Sequence, residues 1–299
     1  MKKRIITGTF IFLVTALCVL AKLLPHDIGA YIFDVFALAV VIVAGFEMSE
    51  IMNKGGKNVN KFLTSMYGIF YYIVLLICLK VADFNDIIWI EMLALIAYGI
   101  VTFLVEWIKA PKGSLKEHFN VAVNTLIACL YPSFMFCLIL NINHMDYFVG
   151  IRNFSLMFVV MVFAISMLTD TLALFVGCAL KGPKLAPSIS PKKTISGACG
   201  GLIGGMLGAM LVFLVIKNVS GLATMLSQYG LAWWHFLLIG LLGSVIGQAG
   251  DLFESKLKRK VNIKDSGNLF PGHGGMMDRV DSIIFVVVFL TICLTIITM

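Results

Sequence analysis

Long apolar runs separated by short polar connections dominate the hydropathy pattern of this 299-residue chain. Runs of roughly 20 residues are long enough to cross the hydrocarbon core of a bilayer as helices. No long alternation of apolar and polar residues indicates spanning strands, and a spanning segment must pair its own backbone groups. We therefore predict an all-α, polytopic integral membrane protein with about nine transmembrane helices, at residues 5–24, 28–46, 62–81, 87–106, 121–141, 153–176, 197–216, 231–250 and 283–298.

The composition supports a membrane protein. Hydrophobic residues make up 60% of the chain and charged residues 13%, and the mean hydropathy of +0.98 lies outside the range of soluble domains. No small-x-small cleavage pattern follows the first apolar run, so we expect a first anchor rather than a cleaved signal. The seven cysteines all fall in apolar runs without CxxC spacing, which favours neither a disulfide framework nor a zinc site.

The distribution of Lys and Arg predicts the orientation, because cytoplasmic loops carry an excess of these residues. With a cytoplasmic N-terminus and nine helices, 19 of the 23 Lys and Arg residues fall on the cytoplasmic side, and the C-terminus lies on the opposite side. The formal net charge of +7 then reflects inward-facing loops, so we expect no nucleic-acid partner. We expect the protein in the inner membrane of the cell, in contact with the lipid bilayer, with its active site facing the cytoplasm.

Polar connections suggest a division into two parts. Residues 1–150 are predicted to form N-terminal membrane helices, about five spans, and residues 151–299 a C-terminal catalytic region with cytoplasmic loops 181–196 and 251–282. The second loop combines six basic with five acidic side chains, so it is not a simple polybasic lipid tether. Mixed charge of this kind suits a metal and phosphate site.

Acidic residues flank this loop on two predicted helices. Asp251 and Ser255 lie four residues apart and share a face at the membrane surface. Asp278 and Asp281 lie three apart at the start of the last helix, where ordinary helix capping is the alternative explanation. Two carboxylates from different helices, beside basic residues, suit Mg²⁺, which binds few protein oxygens and keeps positions for water and phosphates. We predict Asp251 and Asp278 as the metal ligands.

Glycines and basic residues between these acids suit phosphate binding. Residues 271–275, Pro-Gly-His-Gly-Gly, predict a phosphate-cradling turn because glycine permits left-handed backbone angles and close approach of a ligand. For His273 two roles remain open, orientation of the substrate and capping of the loop. Arg259 and Arg279 offer a bidentate grip on phosphate that lysine cannot reproduce, and a solvated positive face is the alternative.

Other polar groups lie in or beside the predicted spans. Loop 181–194 carries four lysines and three prolines, which predicts a stiffened, basic, substrate-gripping loop, with the positive-inside bias as the alternative. Asp170 lies in the sixth span, where a central carboxylate costs roughly 2.5–3.5 kcal/mol, so it is a functional candidate unless it is hydrated at the interface. Asp34 and Glu91 lie near the outer ends of their spans, where water is easy to reach, so we expect structural roles for them. We expect the glycine-rich seventh and eighth spans to pack closely.

The segment from Ser255 to Asp281 resembles the signature of phosphatidate cytidylyltransferases, also called CDP-diacylglycerol synthases. That signature reads Ser-x-apolar-Lys-Arg, four residues, Lys-Asp, then Pro-x-His-Gly-Gly-apolar-x-Asp-Arg-apolar-Asp, and every fixed position is present here. Residues 250–255 and 184–194 are also similar to the family, so the resemblance is expected to cover about the C-terminal two-fifths, while residues 1–150 match only in being apolar. The chain departs from the family at Ser196, Leu172 and Leu174.

The resemblance implies transfer of the cytidylyl group of CTP to phosphatidic acid, with Mg²⁺ on Asp251 and Asp278. A second cation, monovalent or divalent, and a homo-oligomer are left open. The implied catalytic residues are Lys258, Arg259, Lys264, Asp265, His273, Arg279 and Asp281. The implied substrate-binding residues are Asp170, Lys184, Ser190, Lys192, Lys193, Thr194, Ser255, Gly274 and Gly275. The alternatives are a CTP-dependent lipid kinase, a polyprenyl-phosphate transferase and an anion transporter, although two related halves with broken helices are not evident.

Overall fold

The structure is a computed structural model that describes residues 2–24, 28–82, 84–109, 113–151, 153–270, 272 and 274–298. Helices dominate it, and one short antiparallel hairpin interrupts them. The first helices are α1 (Lys2–Leu20), α2 (Ile28–Lys54), α3 (Lys61–Val81), α4 (Phe84–Lys109), α5 (Leu115–Ala128), α6 (Met135–Asn143), α7 (Met145–Val149) and α8 (Phe154–Leu180). The strands β1 (Lys184–Ala186) and β2 (Ser190–Thr194) follow, and then α9 (Ile195–Asn218), α10 (Ser220–Gln228), α11 (Trp233–Lys260) and α12 (Met277–Thr298).

Eight helical segments in the described part of the chain are long and apolar enough to cross a membrane. One of them, Leu115–Asn143, joins α5 to α6 through a π-helical segment, Cys129–Phe134, which contains Pro132. A further apolar helix, Thr7–Leu23, is shorter. The predicted all-α, polytopic membrane fold is therefore confirmed. The count of nine spans and the orientation stay predictions.

By its internal contacts the chain forms two compact units. The first comprises Met1–Asn141 and Lys260–Arg279, and the second comprises Ile142–Arg259 and Val280–Met299. The sequence analysis divided the chain after residue 150 into N-terminal membrane helices and a C-terminal catalytic region. That division is based on function and not on internal contacts, and it stays a prediction.

Buried carboxylates lie among the apolar helices of the first unit. Asp34 and Glu91 are each only 1% exposed, so both are buried rather than hydrated at the ends of their spans. The Tyr72 hydroxyl donates to Asp34 Oδ2 at 2.7 Å, and Asn141 Nδ2 donates to Glu91 Oε2 at 2.8 Å. Donors on neighbouring helices replace water here, which makes burial of these groups affordable.

Glycines bring the helices of the second unit close together. A Cβ placed on Gly208 of α9 would lie 2.6 Å from the backbone oxygen of Ala164 on α8. A Cβ on Gly240 of α11 would lie 2.8 Å from the Cα of Met206 on α9. Because only glycine fits at such separations, the predicted close packing of the seventh and eighth spans is confirmed. This packing places the ends of α8, α9 and α11 beside the hairpin.

Candidate active site

A cavity of about 870 Å³ lies in the second unit, between the ends of α8, α9 and α11 and the β1–β2 hairpin. Its lining combines lysines with carboxylates, the mixture that binding of a phosphate together with a metal ion requires. Six residues that the sequence analysis singled out contribute to it: Asp170, Lys184, Lys192, Lys193, Thr194 and Asp251. Gln248 and Cys178 also line it, and the sequence analysis missed both because neither belongs to a recognisable motif.

The hairpin holds its lysines in defined positions. Lys184 pairs with Thr194 and Ala186 with Ser190 across the two strands. Thr194 then caps α9, because its Oγ1 accepts from the Gly197 amide at 3.1 Å. The Lys193 ammonium forms an ion pair with the Asp251 carboxylate of α11. The proline-containing loop is thus an ordered hairpin, attached to α9 and α11.

Ser196 and Arg259 support the same hairpin. The Ser196 hydroxyl accepts from the Gly182 amide and donates to Thr194 Oγ1, both at 3.2 Å. The exposed Arg259 donates from Nε to the backbone oxygen of Ile189 at 3.3 Å. Ser196 therefore links the two ends of the hairpin through its hydroxyl.

Helix α11 continues without interruption through Asp251 and Ser255, as predicted. The Ser255 hydroxyl lies 3.4 Å from Asp251 Oδ1, which confirms that the two residues share a face. One turn further on, the Lys258 ammonium contacts Glu254 Oε2 at 2.8 Å, and both side chains are buried. Lys258 therefore pairs with a carboxylate that the sequence analysis did not consider, although the four-residue spacing was visible.

Carboxylates concentrate around Asp281 of α12, in the second unit. Asp281 lies within electrostatic reach of Asp251, Glu254 and Asp170. The Ser282 hydroxyl lies 3.4 Å from Asp170 Oδ2. Such a group of acids in a partly buried place repels itself unless cations offset the charge, and carboxylate oxygens are the ligands that Mg²⁺ prefers. The donor set in this unit therefore fits the predicted metal.

Asp278, in the first unit, is held by three hydrogen bonds to one oxygen. Its Oδ2 accepts from the Ser266 amide, the Ser266 hydroxyl and the Gly275 amide, each at 2.8 Å. Gly274 adopts a left-handed φ of 83°, and its carbonyl accepts from the Phe270 amide at 2.9 Å. The carboxylate thus closes a tight turn before α12, so the capping role that was considered as an alternative is present.

Glu47 on α2 holds the other side of this turn. Its carboxylate accepts from the Ser266 hydroxyl at 2.9 Å and from the amides of Met276 and Met277 at 2.8 Å each. Glu47 is 5% exposed. The sequence analysis missed it, because an isolated acid in an apolar run does not reveal a partner about 220 residues later.

The other predicted residues are placed as follows. Lys264, Asp265 and Arg279 are exposed in the first unit, while Gly275 is buried and donates to Asp278. His273 and Pro271 lie outside the described residues. Asp251 and Asp278 belong to different units, so their joint binding of one metal ion stays a prediction. Within the described residues no three or more His, Cys, Asp or Glu side chains form a complete metal cage, which is no obstacle for Mg²⁺ because it uses one or two carboxylates plus substrate oxygens.

The long apolar helices define a polytopic membrane protein. The lysines and carboxylates that line the cavity of the second unit suit a charged ligand. The model of the cytidylyltransferase family matches residues 2–297, so the chain belongs to this family. The phosphatidate cytidylyltransferase of Bacillus subtilis is 32% identical over 296 residues, which cover 97% of this chain and 96% of that protein. The enzyme of the same name from Staphylococcus epidermidis is 34% identical over 288 residues, covering 94% and 96%. That from Brucella abortus is 41% identical over 135 residues, covering 45% and 46%.

The expected extent of the resemblance was too small. Similarity runs along nearly the whole chain instead of its C-terminal two-fifths. Apolar residues of similar volume replace one another with little cost, so residues 1–150 carry a family likeness without a motif that a single sequence displays.

Proposed function

We propose that this protein transfers the cytidylyl group of CTP to phosphatidic acid, which yields CDP-diacylglycerol and pyrophosphate. The observation that carries the proposal is membership of the cytidylyltransferase family, together with similarity to phosphatidate cytidylyltransferases over almost the full length of both chains. The chain is accordingly a nucleotidyltransferase. The cavity of the second unit supports the proposal, because its lysines suit phosphates and its position at helix ends suits a lipid headgroup.

The reaction requires no covalent nucleophile, since the lipid phosphate is already anionic. An oxygen of that phosphate forms a new bond to the α-phosphorus of CTP, and the bond from this phosphorus to the β-phosphate breaks. Negative charge then develops on the departing pyrophosphate, and catalysis consists mainly of positioning and charge stabilisation. Lys184, Lys192 and Lys193 in the cavity would stabilise that charge, with Thr194 and Ser190 forming the hairpin that carries them.

Mg²⁺ would be held by Asp251 and Asp278, and it would supply positive charge that neutralises and aligns the phosphates. Three donors fix Asp278 through Oδ2, while the Ser255 hydroxyl lies beside Asp251. Asp170 and Asp281 add negative charge near Asp251 that a second cation would offset. The exposed Arg259, Lys264 and Arg279, together with Asp265 and His273 of the signature, would complete the phosphate site.

Lys258 has a different environment from the other cations. Because it is buried against Glu254, we propose that it contributes to the phosphate site through the charge balance of α11 rather than through direct contact. For the placement in the cell we propose the inner membrane with the site facing the cytoplasm, supported by the excess of basic residues in the loops that carry the site.

The position of the transferred phosphorus tests the proposed reaction. Purified protein in mixed micelles with phosphatidic acid and Mg²⁺ should incorporate label from α-labelled CTP into lipid, and label from γ-labelled CTP into pyrophosphate. Transfer of the γ-label to lipid would instead identify a lipid kinase and overturn the proposal. Asp278→Asn should abolish magnesium-dependent CTP consumption while the protein remains folded, and full activity of this variant would remove the metal assignment.

A further inference from the structure

Glu47 makes contacts that its position in an apolar helix does not require. Its two oxygens lie within hydrogen-bond distance of three donors, the Ser266 hydroxyl and the amides of Met276 and Met277. These donors belong to the turn that precedes and begins α12, within the same unit. A buried carboxylate is costly unless such donors replace water, so the turn and Glu47 depend on each other.

The Ser266 hydroxyl connects Glu47 to Asp278. It lies 2.9 Å from Glu47 Oε2 and 2.8 Å from Asp278 Oδ2. Because one hydroxyl carries one proton, it donates to one of the two carboxylates at a time, so Glu47 and Asp278 share this donor. The amides of Ser266 and Gly275 complete the attachment of Asp278.

Two glycines of the turn leave the space that the Glu47 side chain fills. A Cβ on Gly267 would lie 2.5 Å from Glu47 Oε1, and one on Gly275 would overlap both carboxylate oxygens. The left-handed Gly274 leaves room beside Asp278, because a Cβ on Gly274 would overlap Asp278 Oδ2. The turn is therefore shaped around Glu47, and a change in that carboxylate would reach Asp278 through one hydroxyl and the adjoining backbone.

We propose that Glu47 is a positioning residue of the active site, which holds Ser266, Met276 and Met277 so that Asp278 presents its carboxylate in a single orientation. The inference deepens the proposed function, on which its metal-binding part rests. Residues that hydrogen-bond a metal ligand orient it, and their loss typically weakens metal affinity or activity 10- to 100-fold. Glu47 itself does not touch the substrate in this proposal.

Glu47→Gln tests the proposal with little change in shape. The amide replaces one acceptor oxygen with an NH₂ group, which would face donors of the turn. Glu50→Gln is the matched control, since Glu50 lies three residues along the same helix and forms an exposed ion pair with Lys61 at 3.0 Å. Both variants are compared with the full-length protein in detergent, without CTP or lipid.

Two measurements distinguish a role of Glu47 in orienting the Asp278 carboxylate from a role in anchoring the turn alone. Hydrogen exchange of the amides of residues 275–277 should accelerate about tenfold or more in Glu47→Gln and remain unchanged in the control. Titration with Mn²⁺, followed by its electron paramagnetic resonance signal, should show about 10- to 100-fold weaker binding in Glu47→Gln. If Glu47→Gln does not accumulate as folded protein, Ser266→Ala provides the test instead. It removes the hydroxyl that lies beside both carboxylates, so Mn²⁺ binding should also weaken.

The outcomes distinguish this inference from the proposed function. Unchanged Mn²⁺ affinity in Glu47→Gln, whether or not exchange accelerates, would overturn the positioning role, since a mere structural anchor would leave the metal site intact. Asp278→Asn is the benchmark for full loss of binding at this site. If that variant binds Mn²⁺ as the native protein does, the positioning inference and the metal assignment both fail, while the labelled-CTP assay still decides the reaction.

Discussion

Replacing Lys258 with Met should destabilise the protein by about 3–5 kcal/mol, which is the usual cost of removing one partner from a buried ion pair. Lys258 lies 2.8 Å from Glu254 Oε2, and the side chains of the two residues are 9% and 0% exposed. Methionine preserves the apolar stem but removes the ammonium group. The Glu254 carboxylate then loses the cation beside it in a place that water does not reach.

The double variant Glu254→Gln, Lys258→Met shows how much of the lost stability is due to charge and how much to the change in side-chain shape. With both charges gone, most of the lost stability should return, because replacing a whole buried pair is often neutral or stabilising. Lys256→Met is the control, since Lys256 is exposed on the same helix and should change stability by no more than about 0.5 kcal/mol.

Reversible unfolding of the four proteins in mixed detergent and SDS micelles measures these differences. A Lys258→Met variant within about 1 kcal/mol of the native protein would show that the pair is not buried as described. CTP turnover of the double variant tests whether Lys258 contacts phosphate directly. A stable but inactive double variant would indicate that Lys258 acts on phosphate directly, contrary to the indirect role proposed above.

Two further predictions concern the packing and the cavity of the second unit. Gly208→Leu should cost about 1–3 kcal/mol or more, because its side chain would meet the backbone of α8, whereas Leu207→Ala on the exposed face of α9 should cost much less in the same unfolding measurement. In a variant that retains Cys178 as its single cysteine, alkylation should slow CTP turnover about tenfold or more, because Cys178 lines the cavity. Bound CTP should protect Cys178 from alkylation. Retained Cys199, exposed outside the cavity lining, should tolerate alkylation, and equal inhibition of both variants would contradict the assignment of the cavity.

The membrane fold and the C-terminal motif could be predicted from the chain because both depend on local pattern. Apolar length determines which segments can span a bilayer, and the helices of the structure follow the predicted runs closely. The run of α11 through Asp251 and Ser255 followed from the absence of a helix breaker. The β1–β2 hairpin escaped prediction, since strands of three and five residues rich in lysine and proline show no periodic alternation.

The burial of individual acids could not be predicted in the same way. Asp34 and Glu91 were expected to be structural residues with easy access to water, because they lie near the outer ends of their predicted spans. Whether a helix position faces lipid, water or another helix depends on neighbours elsewhere in the chain. Tyr72 and Asn141 supply the donors that make burial possible, and nothing in the local sequence announces them.

The sequence alone determined that the chain is an all-α membrane protein with a cytidylyltransferase signature, because hydropathy and motif spacing are properties of neighbouring residues. The tertiary structure decided which side chains support that signature. Glu47 meets a turn about 220 residues away, and Lys258 is enclosed with Glu254 rather than exposed. Hydrogen bonds and burial arise from the approach of distant segments, so the partners of each polar group emerge only when the helices pack.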